Sequence, residues 1–592
     1  MKRDEVSFGG RAACVLAAVV FAAGLVRLCM GLREIQVDDA ADYGYANIRQ
    51  SVRRVQTAGV RGRIVDRNGT VLAANRISIS IVCLPAAFQK RTWEDTAASI
   101  ESAAHRLGEE LGRSPQFSTR GVRRHISQSL AMPLVAWRDV DERELAVFSE
   151  REAEFPGFAV SESVEREYPA GSAAAHVIGY VGRDRGDSEA GDEKFNYFTP
   201  EMRGRSGLEA YYDSFLRGVP GERKVLVDAR GFAISEWMVA AAKSGPDLRL
   251  ALDLRLQREV EKQLRGLTGA CAVIDPRNGD VLAMASNPGF NPNDFVPTLD
   301  HETYGRYSGD PAKPLLNRAS AGMYAPGSTF KPVTALAGLS SGRDADEEYE
   351  CVGAFELGML RLRCTATWGH GLLDLRHAIM KSCNSYFCDM GMHVGTNALV
   401  AAAHAFGLGS KTGLDLGADA AGVVPDGEWK MRTYGEKWYS GDLAQMSIGQ
   451  GMLLATPLQM ARVAGAIGTG FLVTPRLKSD APSSRMALPF DKRHLEIVRE
   501  SMRLVVSGDG ESRGTGRRGG EHVAVPVSGK TGTAEVGIGA NRRKNAWFIA
   551  YAPSDAPSVA LALVVENGES GGITAAPKAA NILKAVFGEV AQ

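Results

Sequence analysis

Residues 321–339, AGMYAPGSTFKPVTALAGL, place Ser328 and Lys331 three positions apart at the predicted start of a helix. Positions i and i+3 share one face of a helix, so Lys331 can direct its amine at the Ser328 hydroxyl. Pro326 and Gly327 put the serine at the helix N-terminus, where free backbone N–H groups and the helix dipole favour negative charge. A desolvated lysine can lose its proton and activate a serine. This turn therefore predicts a serine nucleophile with a lysine base.

Two later segments complete a set of three motifs. MKSCNSYFCDMG (380–391) contains Ser382 and Asn384 in the pattern S-x-N, and PVSGKTGTAEVG (526–537) contains the pattern K-T-G. The combination S-x-x-K, S-x-N and K-T-G, in this order, is shared by class A β-lactamases and penicillin-binding proteins. K-T-G alone is typical of a simple turn, but the three motifs together predict one catalytic cleft.

With these motifs the chain resembles the class B penicillin-binding proteins, the bitopic D,D-transpeptidases of bacterial cell-wall synthesis. The resemblance covers nearly the whole length. RGRIVDRNGTVLAAN (61–75) and residues 204–231 resemble the start and end of their pedestal domain, and SIGQGMLLATPLQMA (447–461) resembles part of their transpeptidase domain. NPNDFVP (291–297), WGHGLLDL (368–375) and the E-W-K pattern at 428–430 are most similar to the elongation subtype, penicillin-binding protein 2.

The resemblance implies acyl transfer on peptidoglycan stem peptides. Ser328 attacks the carbonyl between the two terminal D-alanines, the last D-alanine leaves, and an amine from a neighbouring strand forms the crosslink; water in place of the amine gives D,D-carboxypeptidase activity. Lys331 takes the Ser328 proton, Ser382 relays a proton to the leaving amine, and Asn384 holds the substrate backbone and orients Lys331. β-Lactams mimic the terminal dipeptide, so they are expected to acylate Ser328.

The K-T-G segment is implied to bind charge. Lys530 adds positive charge, Thr531 and Thr533 bind the terminal carboxylate, and the backbone N–H groups of Ser328 and Thr533 form an oxyanion hole. Each such donor contributes on the order of 3 kcal/mol to the transition state. The full catalytic set is Ser328, Lys331, Ser382, Asn384, Lys530, Thr531, Gly532 and Thr533.

Four of the eight cysteines crowd into residues 351–388. Three of them form, with one histidine, the pattern C-x12-C-x5-H-x12-C at Cys351, Cys364, His370 and Cys383. Structural zinc commonly takes three cysteines and one histidine. The resemblance implies a metal site here, in which relatives use acidic, histidine and cysteine ligands. Cys351 and Cys364 would replace acidic ligands.

Other readings of these cysteines stay open. A Cys351–Cys364 disulfide is possible in an oxidising compartment, and so are buried free thiols. Cys388 is a further ligand or a core residue. We expect a structural zinc ion and no organic cofactor.

An apolar segment near the N-terminus predicts a membrane anchor. It runs from Ala12 to Val26, is interrupted by Arg27 and resumes to Leu32. With Arg27 reaching to the interface it provides the roughly twenty residues that a span needs. Basic residues precede it and favour a cytoplasmic N-terminus; they are Lys2, Arg3 and Arg11. We expect an uncleaved single-pass anchor in the inner membrane, with the catalytic domain outside the cytoplasm, rather than a buried helix.

The fold class is predicted as α+β. Strand-like and helical patterns alternate irregularly before KSGPDL (243–248), which we interpret as a linker. After the linker the sequence predicts a hairpin, helices over about 328–470 and a further helix at 495–506. A Gly-rich basic loop at 507–520, two strands and a helix from about Pro577 complete the predicted order. This order predicts an antiparallel sheet covered by helices with a helical lobe beside it. The predicted divisions are a cytoplasmic tail 1–11, an anchor 12–32, an elongated mixed α/β pedestal 36–245 and a transpeptidase domain 250–592.

Several other functions are alternatives to crosslinking during elongation. A serine β-lactamase would need a positioned glutamate for deacylation and no pedestal. A β-lactam sensor, a non-enzymatic scaffold and a division-specific transpeptidase share the fold. Residues 36–245 do not resemble a glycosyltransferase, so the resemblance implies a separate polytopic glycan polymerase of the RodA type, with other elongation-complex proteins as partners. Lys+Arg and Asp+Glu are equal at 69 each, so no charge excess suggests nucleic acid.

Overall fold

The computed structural model describes residues 8–40, 51–183, 196–198, 202–537 and 542–589. Helix Phe8–Arg33 contains the predicted anchor, and a wider helical turn extends it to Asp38. Within the described residues this is the one helix long and apolar enough to cross a membrane, and its apolar window is not buried. The single N-terminal span is consistent with the predicted anchor; most of the predicted tail 1–11 lies outside the described residues.

The pedestal is built on two mixed sheets. In the first, the strand order is Ala233–Ala240, Gly221–Val227, Val52–Thr57 and Asn196–Phe198. In the second, it is Leu248–Arg249, Ile64–Val65, Val71–Cys83 and Leu134–Trp137, with Phe158–Glu167 also paired to Val71–Cys83. A short ladder joins Val181–Arg183 to Met202–Gly204. The pedestal helices are Trp93–Leu111, Thr119–Ser129, Glu142–Arg151, Ala175–Ile178, Gly207–Tyr211 and Asp213–Leu216.

The catalytic half is built around one antiparallel sheet of five strands. Its strand order is Val281–Asn287, Gly269–Ile274, Val559–Glu566, Arg543–Ala552 and Ser528–Val536. Alternate residues of a strand point to opposite faces of the sheet. Accordingly Leu561 and Leu563 pack in one apolar cluster, while Ala560 and Ala562 pack in another. The sheet is therefore buried on both faces, as predicted.

Helices cover both faces of this sheet. Pro457–Thr469 packs on one face, and Leu254–Leu264 with Ala576–Phe587 packs on the other. The remaining helices are His301–Gly309, Lys331–Ser340, Leu375–Met380, Asn384–Val394, Thr396–Ala405, Gly427–Tyr434, Ser440–Ser447 and Lys492–Ser507. Several of them form the helical lobe beside the sheet, which confirms the α+β class.

Two details of the sequence prediction were wrong. The stretch 328–470 is not continuously helical, because it contains the hairpin Ala354–Leu357/Leu360–Arg363 and the ladder Tyr349–Cys351/Gly371–Leu373. A further small ladder joins Phe471–Val473 to Arg485–Ala487. The segment 243–248 is not a free linker either: Gly245 N–H donates to Val60, and Asp247 pairs with Arg63 at 2.6 Å. Short strands of this kind have too few residues to show a period in the sequence.

Candidate active site

Ser328 lies in a tight turn immediately before a buried helix. The turn Gly327–Phe330 is a single 3₁₀ turn, and the α-helix begins at Lys331, with Pro332 in its first turn. The serine thus precedes the helix rather than occupying its first turn, a small correction to the sequence prediction. Ser328 is partly exposed, whereas Lys331 is fully buried. The nucleophile candidate can therefore meet a substrate while the amine of Lys331 is shielded from water.

Lys331 is bonded to the S-x-N segment. Its Nζ donates to Ser382 O at 2.8 Å, to Asn384 Oδ1 at 2.8 Å and to Ser382 Oγ at 3.3 Å. Among the described residues it makes no hydrogen bond to Ser328 Oγ, so the expected Ser328–Lys331 contact is not formed here. Catalytic hydrogen bonds often tighten only when substrate is bound. Asn384 in turn donates to Arg363 O at 2.9 Å, which fixes its amide.

Ser382 is shared by two lysines. Lys530 Nζ donates to Ser382 Oγ at 2.9 Å and to Thr531 O at 2.9 Å, while Lys331 reaches the same hydroxyl. Ser382 has a φ of 57°, in the left-handed region that a residue with a side chain rarely adopts. Such strain is held in place only by the surrounding structure and concentrates at functional sites. The S-x-N and K-T-G motifs therefore meet at one hydroxyl.

The K-T-G motif lies on the edge strand Ser528–Val536. This strand pairs antiparallel with Arg543–Ala552, and Thr533 lies opposite Ala546. A Cβ at Gly532 would come within 2.9 Å of Pro326 O, so only glycine lets the strand approach the serine turn this closely. Gly571 N–H donates to Thr533 Oγ1 at 3.3 Å.

These groups line one cavity of about 450 Å³. Its wall includes Ser328, Ser382, Asn384, Thr531, Gly532 and Thr533, and Lys331 and Lys530 are buried beneath it. The structure thus brings together all eight predicted catalytic residues. Motif reasoning did not single out Gln450, Thr515, Arg517 and Arg518 as site residues, although all four line the cavity. In the sequence, Gln450 lies in the SIGQG segment and the other three lie in the basic loop 507–520. Neither segment contains a motif with a known chemical role.

Burial changes the protonation of both lysines. It lowers the pKa of Lys331 to about 8. Burial also lowers the pKa of Lys530 well below its usual range, and the nearby charge of Lys331 adds to this. Near neutral pH a fraction of Lys331 is therefore already unprotonated. The cavity can supply a nucleophile, a base and hydrogen-bond donors for developing negative charge.

The Cys/His group assembles beside the S-x-N segment. Cys351, Cys364, His370 and Cys383 have their ligand atoms within 4.8 Å of one another. Cys364 Sγ lies 3.7 Å from Cys383 Sγ and 3.4 Å from His370 Nδ1, and Cys351 Sγ lies 3.6 Å from that nitrogen. All eight cysteines are free, so the alternative Cys351–Cys364 disulfide is not formed. Cys388 is buried next to Ala444 O, outside this group.

Comparisons with known proteins agree with this geometry. The family model for the penicillin binding protein transpeptidase domain matches residues 269–584, and the penicillin-binding protein dimerisation domain matches residues 56–250. The chain is 33% identical to the peptidoglycan D,D-transpeptidase MrdA of Acinetobacter baumannii, over 96% of this chain and 86% of that protein.

Solved structures match as well. The complex of penicillin-binding protein PBP2 with MreC from Helicobacter pylori superposes with a TM-score of 0.77 at 27% identity, covering 90% of this chain and 98% of that one. A peptidoglycan synthase complex, described for its coordination of polymerization and crosslinking, gives a TM-score of 0.72 at 29% identity and covers 98% of both chains.

The match over residues 56–250 covers the pedestal that a β-lactamase would not need. The match over residues 269–584 contains all three catalytic motifs. The chain therefore belongs to the class B penicillin-binding proteins, as an elongation-type peptidoglycan D,D-transpeptidase.

Proposed function

We propose that Ser328 is the nucleophile that forms the acyl-enzyme with the stem peptide. The observation that carries this assignment is the meeting of Lys331 and Lys530 at Ser382 Oγ, in the cavity that Ser328 lines. A partly exposed serine three positions before a buried lysine with lowered pKa provides the nucleophile and the base that this chemistry requires.

In this proposal Lys331 is the general base and Ser382 carries the proton onward. As substrate binds, Lys331 Nζ takes the proton of Ser328, three positions earlier on the chain. The Ser382 hydroxyl, held between the two amines, then passes a proton towards the leaving D-alanine amine. Lys530 orients the hydroxyl of this relay, because its Nζ donates to Ser382 Oγ at 2.9 Å.

The strand that carries Thr533 supplies the groups that stabilise negative charge on the substrate. We assign the oxyanion hole to the backbone N–H groups of Ser328 and Thr533, and the terminal carboxylate to Thr531 and Thr533. Gly532 allows this strand to lie against the serine turn. Asn384 holds the substrate backbone opposite the strand. The acyl-enzyme is then resolved by an amine of a neighbouring stem peptide.

The pH dependence of acylation tests the base assignment. The second-order rate of acylation by benzylpenicillin is expected to rise with pH and to level off above about 8, the pKa of Lys331. Only the neutral amine accepts a proton, so at pH 6 the rate should be about 100-fold below the plateau. Stopped-flow or quenched mass spectrometry measures it. A rate that is flat or falling between pH 6 and 9, in protein that stays folded by circular dichroism, would contradict the assignment.

We further propose that Cys351, Cys364, His370 and Cys383 hold a structural zinc ion. Tetrahedral zinc, with Zn–S near 2.3 Å and Zn–N near 2.0 Å, separates its ligands by about 3.8 Å (S···S) and about 3.5 Å (S···N). Three of the six distances between the ligand atoms, 3.7, 3.4 and 3.6 Å, are close to these values, and all six lie within 4.8 Å. Backbone N–H groups of Asn384 and Tyr386 donate to the cluster sulfurs, as outer-shell groups do. When bound, the ion would hold the segment that carries Ser382.

Metal analysis tests this site. Protein purified without chelators is expected to contain one zinc per chain, and Cys364→Ser is expected to lose it. Loss of a structural zinc should cost roughly 3 kcal/mol or more and lower Tm by about 5–10 °C. The matched control is Cys388→Ser, a buried cysteine outside the cluster, which should keep the metal. Wild-type protein with less than about 0.1 zinc per chain and three titratable thiols at Cys351, Cys364 and Cys383 would refute the proposal.

We also propose an orientation in the membrane and a set of partner proteins for this chain. The basic residues before the anchor favour a cytoplasmic N-terminus, which places the pedestal and catalytic domain in the periplasm. The relatives seen with MreC and in a peptidoglycan synthase complex support a place in an elongation assembly. We propose that a polytopic glycan polymerase of the RodA type supplies the strands and contacts the anchor and pedestal.

A further inference from the structure

A second cavity lies where the pedestal meets the catalytic domain. Its volume is about 730 Å³, larger than that of the catalytic cavity. Most of its lining comes from three parts of the chain: residues 170–176 of the pedestal, the helix Leu254–Leu264 with Arg265 just after it, and residues 284–291. None of the predicted catalytic or metal-binding residues is among them. The cavity is therefore separate from the site described above.

The floor of this cavity, formed by Glu261, Gln257 and Ala174, is fixed by hydrogen bonds between those three parts. Glu261 Oε1 accepts from Ala174 N–H and from Gln257 Nε2, both at 2.8 Å. Gln257 Oε1 also accepts from Met284 N–H at 2.8 Å. His176 packs edge-on against a phenylalanine of the wall and contacts Pro314 O at 2.7 Å. A cavity with such a floor needs little reorganisation to bind a ligand.

One wall of the cavity is a stripe of positive charge. It consists of Arg255, Arg258, Lys262 and Arg265, spaced by three, four and three residues along one face of the helix and just beyond its end. Within the described part of the chain, Arg255, Arg258 and Arg265 have no ion-pair partner, while Lys262 pairs with Glu259 at 3.1 Å. The Glu261 carboxylate already accepts the hydrogen bonds from Ala174 N–H and Gln257 Nε2. Glu259 and Glu261 also line the cavity, and Arg258 lies within reach of the Glu261 charge, so the lining carries four cationic side chains against two carboxylates and is positive on balance.

The length of the stripe indicates the kind of ligand. Ten residues of helix cover about 15 Å. An extended peptide of four or five residues covers the same distance. A single phosphate headgroup would engage one or two of the guanidinium groups and leave the rest unpaired. Guanidinium groups pair well with carboxylates, so an extended peptide with several carboxylates fits the stripe along its whole length.

We propose that this junction cavity binds a second, uncrosslinked stem peptide through its carboxylates while the first stem occupies the catalytic cavity. The choice of peptide rests on the family's peptidoglycan substrate. Because the guanidinium groups are exposed, the binding is expected to weaken as salt rises.

The test uses full-length protein in detergent, with a fluorescent stem pentapeptide as the probe. The protein is measured both free and after benzylpenicillin acylation, which closes the catalytic cavity; intact mass reports the acylation separately. The acylated protein is expected to bind the probe, and Arg255→Glu/Arg258→Glu is expected to weaken that binding at least tenfold. The same peptide with amidated carboxylates should bind at least tenfold more weakly.

The control is Arg106→Glu/Arg123→Glu, which makes the same charge change at exposed arginines of the pedestal helices and should leave probe binding unchanged. Both double variants should be acylated at the wild-type rate, which shows that they are folded. Loss of probe binding on acylation, wild-type affinity in Arg255→Glu/Arg258→Glu, or equal binding of the amidated peptide would overturn the proposal. Binding of phosphatidylglycerol vesicles or inorganic phosphate, but not of the peptide, would also overturn it.

Discussion

Replacing Ser328 with alanine is expected to abolish both acylation by benzylpenicillin and release of D-alanine from a stem peptide. Removing the nucleophile of a serine acyl-transfer enzyme lowers turnover on the order of 10⁶-fold. The substitution deletes one partly exposed oxygen and should leave the fold intact. Intact mass measures the covalent adduct, and chromatography measures released D-alanine.

The matched control for this variant is Ser341→Ala, an exposed serine just past the end of the helix that follows Ser328. It should be acylated at the wild-type rate. A penicilloyl adduct on folded Ser328→Ala protein would mean that another residue is the nucleophile.

Replacing Lys331 with methionine is expected to slow acylation by between about 10² and 10⁴-fold, the range for loss of a general base. Methionine fills most of the same buried space but cannot accept the serine proton. It also leaves Ser382 O and Asn384 Oδ1 without their donor, so some stability should be lost. The measurement is the second-order acylation rate across pH 6–10, together with Tm.

Two comparisons make this result specific. Lys381→Met, at a partly exposed lysine next to Ser382, should acylate at the wild-type rate. The variant Lys331→Met should also lose the rise of rate with pH. If it stays fast and keeps that rise while Lys530→Met loses both, then Lys530 is the base and the assigned roles are wrong.

The sequence predicted which residues meet around the cavity better than it predicted the contacts between them. Three motifs identified Ser328, Ser382 and Lys530, because this chemistry needs these residue types in this order. The partners of Lys331 could not be predicted, since a motif gives spacing along the chain and not the direction of a flexible side chain. The positive φ of Ser382 could not be predicted from the sequence either, because the packing around the residue imposes it.

Helices and strands whose apolar residues repeat at a clear spacing can be predicted from the sequence, whereas very short strands cannot. In the helix Trp93–Leu111 the apolar residues recur at three and four positions, a period that indicates a helix from the sequence alone. The hairpin predicted at the start of the catalytic half is formed by Gly269–Ile274 and Val281–Asn287. The hairpin at 354–363 was missed within a helical stretch, because four-residue strands carry almost no periodic signal. The cavity at the domain junction depends on contacts between distant segments, so nothing in the sequence marked it.

A crystal structure of the protein acylated by benzylpenicillin tests most directly whether the three motifs form one reaction centre. We expect an ester on Ser328 Oγ, with the acyl oxygen about 2.7–3.1 Å from the backbone nitrogens of Ser328 and Thr533. We also expect Lys331 Nζ within hydrogen-bond distance of the esterified oxygen. An ester on any other side chain, or an acyl oxygen pointing away from Thr533, would contradict the convergence of the three motifs on one reaction centre.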